Sequence, residues 1–167
     1  MIFDIDVSGD NLLSKDYTIC IANSDSLIKG YKFSSNIVNI INSKYGQGIY
    51  NKYNKSDKGK ANLKVRIYCV VLYYLFLDIK DKIKDKEIVL NICKDFDGKE
   101  NQIKVNLNHL LIEKLNLKLN IDEIYFGKLA KTSNAHNYSY LMRKDSKNQL
   151  KNYVNIDLEE IEKYLIE

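Results

Sequence analysis

The chain has no proline and no tryptophan in its 167 residues. Without proline there are no proline-rich linkers and no polyproline recognition segments. The seven glycines are too few for a flexible Gly-rich spacer. Three cysteines, Cys20, Cys69 and Cys93, lie far apart with no CxxC pair. That excludes a disulfide scaffold and zinc-ribbon spacing, and suits buried free thiols in a reducing compartment. The most apolar stretch, "VVLYYLFL" (70–77), is too short to cross a bilayer. The start, Met1-Ile2-Phe3-Asp4, carries acid where a secretory leader has basic residues. The expected location is cytoplasmic, with no membrane partner.

What is present is ordinary in amount and uneven in placement. Hydrophobic residues make up 45% and charged residues 29%, enough for one domain with one core over 1–167. Net charge is +4, mildly basic and compatible with nucleic acid. Because lysine, asparagine, isoleucine and tyrosine are all abundant, a lysine run alone carries little weight.

Periodicity divides the chain. "IFDIDVSG" (2–9) alternates, with Phe3, Ile5 and Val7 on one face and Asp4 and Asp6 on the other. Segments 17–24 and 27–34 read as two more strands, joined by short turns into a meander. Segment 34–45 has helical spacing behind Ser/Asn caps, and 46–60 reads as an exposed loop. Segment 61–84 reads as a buried helix, with enough Val, Ile and Tyr to leave a strand open over part of it. A strand is expected at 86–96, a helix at 97–116 and a strand at 121–130. A short helix follows at 133–147, and 153–167 holds a last one capped by Asp157.

The order is βββ-α-β-α-β-α with an extra final helix, and it resembles the RNase H-like superfamily. Three patches add to the resemblance: Ile5-Asp6-Val7-Ser8-Gly9 on the first strand, Asp95 after the fourth, and "KTSNAHNYSYLMRKD" (131–145). The resemblance implies an α/β fold with a mixed five-stranded sheet in order 3-2-1-4-5, flanked by helices. It implies catalytic residues Asp6, Asp95 and His136. It also implies a Mg²⁺ or Mn²⁺ site built from Asp6 and Asp95, completed by His136 or Asp145. Lys131 and Arg143 would balance phosphate charge. One departure is clear: residues 34–77 contain a single acid, Asp57, so a fourth carboxylate on the first long helix is missing.

The chemistry of these residues supports the same assignment separately. Converging carboxylates repel and call for a cation. Mg²⁺ takes oxygen ligands, one or two of them carboxylates, with water and phosphate filling the rest. Asp4 reads as a weaker candidate than Asp6, Asp97-Gly98 as a turn, Glu100 as a first-turn helix acid and His109 as structural. A second feature is the basic stretch 44–66, where Lys52, Lys55 and Lys58 could neutralise phosphates while Tyr45, Tyr50 and Tyr53 stack on bases. The expected function is a metal-dependent nuclease or related phosphodiesterase acting on DNA or RNA. The alternatives are a catalytically inactive RNase H-like module that binds nucleic acid or protein, and a small-molecule phosphohydrolase with a closed pocket.

Overall fold

The computed structural model describes residues 1–167. Alternation in the first segment becomes β1 (Ile2–Ser8), with Phe3 and Ile5 fully buried on one face and Asp4 and Asp6 on the other. β2 (Thr18–Ala22) and β3 (Ile28–Lys32) continue the antiparallel meander. β4 (Glu87–Cys93) lies parallel to β1, and β5 (Lys118–Gly127) parallel to β4. The sheet order is β3-β2-β1-β4-β5, the mixed five-stranded arrangement expected from the sequence. β1 is therefore central, and the carboxylates it carries are enclosed by neighbours on both sides.

Helices cover the two faces unequally. The core face of β1 and β4 packs against α1 (Ser35–Gly46), α2 (Asp57–Asp78), α3 (Glu100–Leu107) and α5 (Leu158–Leu165) in one large apolar cluster. α2 holds most of it because nearly every residue from Leu63 to Phe76 is buried; each large aliphatic or aromatic side chain removed from water contributes about 1.5–3 kcal/mol. The helix runs against the direction of β1. Phe76 meets Phe3 edge-on at 5.3 Å near the start of β1, while Tyr68 meets Phe96 at 5.1 Å beyond the end of β4. The N-terminal end of α2 thus lies at the carboxyl ends of β1 and β4. On the opposite face a single helix, α4 (Asn134–Lys144), packs on β1, β2 and β3 through a small cluster that includes Cys20, Ala22, Ala135 and Met142.

Several expected boundaries shift, and β5 begins three residues before the expected 121, at Lys118. The 46–60 loop ends early, because Ser56 caps α2 and accepts from the Gly59 N–H at 3.1 Å. The strand alternative within 61–84 gives way to helix, which ends at Asp78 and is followed by a 3₁₀ turn at Lys80–Lys82. β4 ends at Cys93, so Asp95 stands just past the strand rather than on it. The 97–116 helix is regular only to Leu107; Asn108–Lys114 winds as a wider π turn, with Leu115 N–H donating to Leu110 O. Five-residue spacing there brings Leu110 and Leu115 to the same buried side.

Candidate active site

Asp6 is 5% exposed and faces α4. Both of its oxygens are engaged. The Val7 N–H donates to Oδ1 at 2.8 Å, and His136 Nδ1 lies 2.9 Å from Oδ2. An ionised carboxylate only accepts, so Nδ1 is the donor of this pair, and in the neutral ring Nε2 is then the acceptor nitrogen. His136 is 51% exposed, so this free nitrogen lies at the surface. A buried acid orienting an exposed imidazole is the pairing that sets a histidine's tautomer at general-base and metal sites.

The start of α4 reads both acids of β1. Ser133 stands at the N-cap position, yet its hydroxyl donates to Asp4 Oδ2 at 2.7 Å instead of accepting from its own helix. Asn91 on β4 donates to Asp4 Oδ1 at 3.2 Å. Three residues on, His136 meets Asp6. Asp4 is thus held in a structural tie between helix and sheet, while Asp6 addresses the imidazole. Further along, Arg143 Nε donates to Ser8 Oγ at 2.7 Å, so α4 follows β1 from Asp4 to Ser8.

Asp95 is exposed, and Tyr17 donates its hydroxyl to Asp95 Oδ2 at 2.8 Å. The Tyr17 ring is buried in the main core; burial first, and then the Asp95 charge, push its ionisation well above the ordinary tyrosine range. Asp6 adds to that effect. Cys93 is flanked by the same two acids. Its thiol is pushed up to about 11, by burial first, then by Asp6, with Asp95 also raising it. Asp6 and Asp95 therefore act on the same small region at the carboxyl ends of β1 and β4. Neither forms an ion pair with a lysine or arginine.

Asp145 does not belong to this group. Its Oδ2 accepts from the Leu150 N–H at 2.9 Å and from the Tyr153 hydroxyl at 2.8 Å, and these bonds turn it toward the segment that lies along β3. The backbone bond to Leu150 is the largest cause holding its carboxyl below the usual range. Its place as a metal ligand is corrected accordingly: it closes the loop after α4. No three His, Cys, Asp or Glu side chains form a ready-made metal-ligand group.

The remaining candidates divide. Lys52, Lys55 and Lys58 are exposed, as is Lys131. Tyr50, however, is buried with its hydroxyl on Glu162, and Tyr45 is buried with its hydroxyl on the Asn54 carbonyl. The expected stacking by those two tyrosines is ruled out by their burial, since they anchor the loop to α5 and to itself. Asp97-Gly98 forms a turn with Gly98 at φ +72°. Glu100 lies in the first turn of α3, lowered chiefly by the backbone N–H at the helix start. His109 bridges Glu113 and Glu167 and ties the chain end to the π turn. The sequence reading gave no site role to Tyr17, Cys93, Ser133 or Ser8, although Ser8 and Ser133 lie within the patches that carry the resemblance. Tyr17 looks like one more apolar strand residue; its role depends on a partner 78 positions away and leaves no local mark.

None of the larger surface hollows is lined by Asp6, Asp95 or His136. The site is an open surface at the strand ends. Comparison of the chain with protein-family models and curated proteins, and of its structure with solved structures, gives no match.

Proposed function

We propose that the protein is a nucleic-acid-processing phosphodiesterase of RNase H-like type, working at the carboxyl ends of β1 and β4. The observation that carries this reading is the buried Asp6 orienting the exposed His136 on the central strand of a 3-2-1-4-5 sheet. Neither Asp6 nor Asp95 is paired with a lysine or arginine, and uncompensated carboxylates are the groups that would favour a bound cation. Asp6 and Asp95 would hold Mg²⁺ or Mn²⁺, with water and phosphate oxygens completing the shell. When bound, such an ion stabilises negative charge on the reacting phosphoryl group. His136 would take a proton at Nε2, and Asp6 would hold the imidazolium through Nδ1–H. Tyr17 would fix the orientation of Asp95, and Arg143 would face the phosphate. The open surface favours a polymer over the small substrate that a closed pocket would take.

Labelled single-stranded DNA and RNA should be cleaved with Mn²⁺, and EDTA should stop it. Asp6→Asn and His136→Ala should each reduce the rate by about 10²–10⁴-fold. Equal rates in wild type and Asp6→Asn would assign the cleavage to another site. A second reading, a binding module without catalysis, is favoured by one observation: Asp145 is turned away and no third ligand takes its place. It predicts nucleic-acid binding with no cleavage and no Mn²⁺-dependent rise in Tm.

A further inference from the structure

α4 covers only β1, β2 and β3, so the same face of β4 and β5 lies bare beside it. Asn91 and Cys93 are half-buried on this face, and Tyr125, paired with Asn91 in register, is 52% exposed with its hydroxyl on Glu123. A hollow of about 290 Å³ opens here, walled by the Lys128–Ala130 loop. Asp4 of β1 lines it as well. On the other side of β1, α4 carries His136, Tyr140 and Arg143 on one stripe, at positions i, i+4 and i+7. His136 and Arg143 both reach β1, and Tyr140 lies between them along the stripe. Tyr140 is 53% exposed, with the Arg143 guanidinium 5.9 Å and the Lys144 ammonium 5.8 Å from its ring centre.

Charge is one-sided along the segment that holds α4, with Lys147 and Lys151 on the stretch that returns along β3. Residues 128–151 contain six cations against one acid, Asp145, a net +5 in a chain whose total is +4. None of the six forms an ion pair, although Lys44, Arg66 and Lys114 elsewhere do. Asp145 is spent on Leu150 and Tyr153. An exposed aromatic ring flanked by unpaired cations, beside a polar floor, complements a chain of phosphates with unpaired bases. A duplex keeps its bases stacked internally and offers Tyr140 no ring face.

We infer that this stripe of α4 and the adjoining face of β4 and β5 together form a groove that binds single-stranded nucleic acid, with Tyr140 stacking on a base and Arg143 and Lys144 on the flanking phosphates. The inference rests on the phosphodiesterase reading for its place beside His136, but it is measured without catalysis. Fluorescence anisotropy in EDTA, with labelled oligo(dT), oligo(U) and a duplex of equal length, reads binding alone. Single strands should bind more tightly than duplex. Tyr140→Leu should weaken single-strand binding about ten-fold, while Tyr140→Phe keeps it. Arg143→Gln and Lys144→Gln should each reduce the slope of log K against log salt by about 0.7. Heparin, which offers charge without bases, should not distinguish Tyr140→Leu from wild type. Unchanged oligonucleotide affinity in Tyr140→Leu, or duplex bound as tightly as single strand, overturns the groove. Cleavage with Mn²⁺ that is indifferent to Tyr140 leaves the hydrolase standing and removes the groove. Tyr140-dependent binding without any cleavage keeps the groove and removes the hydrolase.

Discussion

At the scale of single residues, the site is defined by what each acid touches. Asp4 and Asp6 stand two apart on one face of one strand, yet one is tied by Ser133 and Asn91 and the other by His136. Cys93 offers a probe of this region. With its thiol raised to about 11, alkylation by iodoacetamide at pH 8 should be slower than for an ordinary thiol of pKa ~8.5, and should rise until near pH 11. Asp6→Asn removes one of the charges that disfavour the thiolate, so the rate profile should shift to lower pH. A profile that does not move would place the Asp6 charge away from Cys93. Tyr17→Phe tests the other acid. It frees Asp95 from its one tyrosine bond and should cost roughly 1 kcal/mol of stability by urea unfolding, the usual size of a single hydrogen bond.

At the scale of elements, helix starts and one close approach decide local stability. Gly59 lies in the first turn of α2, where propensity alone favours alanine by about 1 kcal/mol. A Cβ there would sit 2.0 Å from the Asn54 carbonyl oxygen, and that loop is anchored by the Tyr45 hydroxyl on the same oxygen. Gly59→Ala should therefore destabilise the fold by the ~1–3 kcal/mol typical of overpacking, opposite to the propensity rule, and lower Tm. A raised Tm would show that the 50–56 loop yields freely. α5 begins with a full capping box: Asp157 accepts from the Glu160 N–H at 2.8 Å, and Glu160 accepts from the Asp157 N–H at 3.1 Å. Asp157→Ala should cost about 1 kcal/mol in chemical unfolding. An unaltered midpoint would mean that α5 is held by its buried Ile161, Tyr164 and Leu165 alone.

At the scale of the whole molecule, alkaline pH is the weak side. Burial first, and then neighbouring carboxylates, raise Tyr17, Tyr50 and Tyr153, and burial also raises Cys20 and Cys69. In the unfolded chain these groups titrate near their ordinary values, about 8.5 for Cys and 10 for Tyr. Above those values the unfolded state holds fewer protons than the folded one, so stability falls as pH rises. It should be full below pH ~8.5 and decline steeply from pH ~9 upward, as Tm measured across pH 7–11 would show. A flat Tm to pH 11 would contradict the burial of these groups.

How much of this was legible in the chain follows from range. Alternation in Ile2–Ser8, the caps at Ser34 and Asp157, and the apolar wealth of 63–76 are local properties, and they determined five strands and the main helices. The run Ile5-Asp6-Val7-Ser8-Gly9 also marked Asp6 over Asp4, through its resemblance to the first strand of RNase H-like proteins. Local pattern could not decide which acids meet. Asp145 and His136 share a helical patch, yet backbone bonds at the end of α4 turn one away while the sheet draws the other to Asp6. Nor could it decide which tyrosines are free: Tyr50 lies in a polar, lysine-rich stretch and is buried, while Tyr140 stands open between two cations. The sequence by itself determined the order of elements and the acid on the central strand, since both depend on neighbours a few residues apart. The tertiary structure alone decided that Asp6 faces His136 across 130 positions, because that contact exists only once α4 lies along β1.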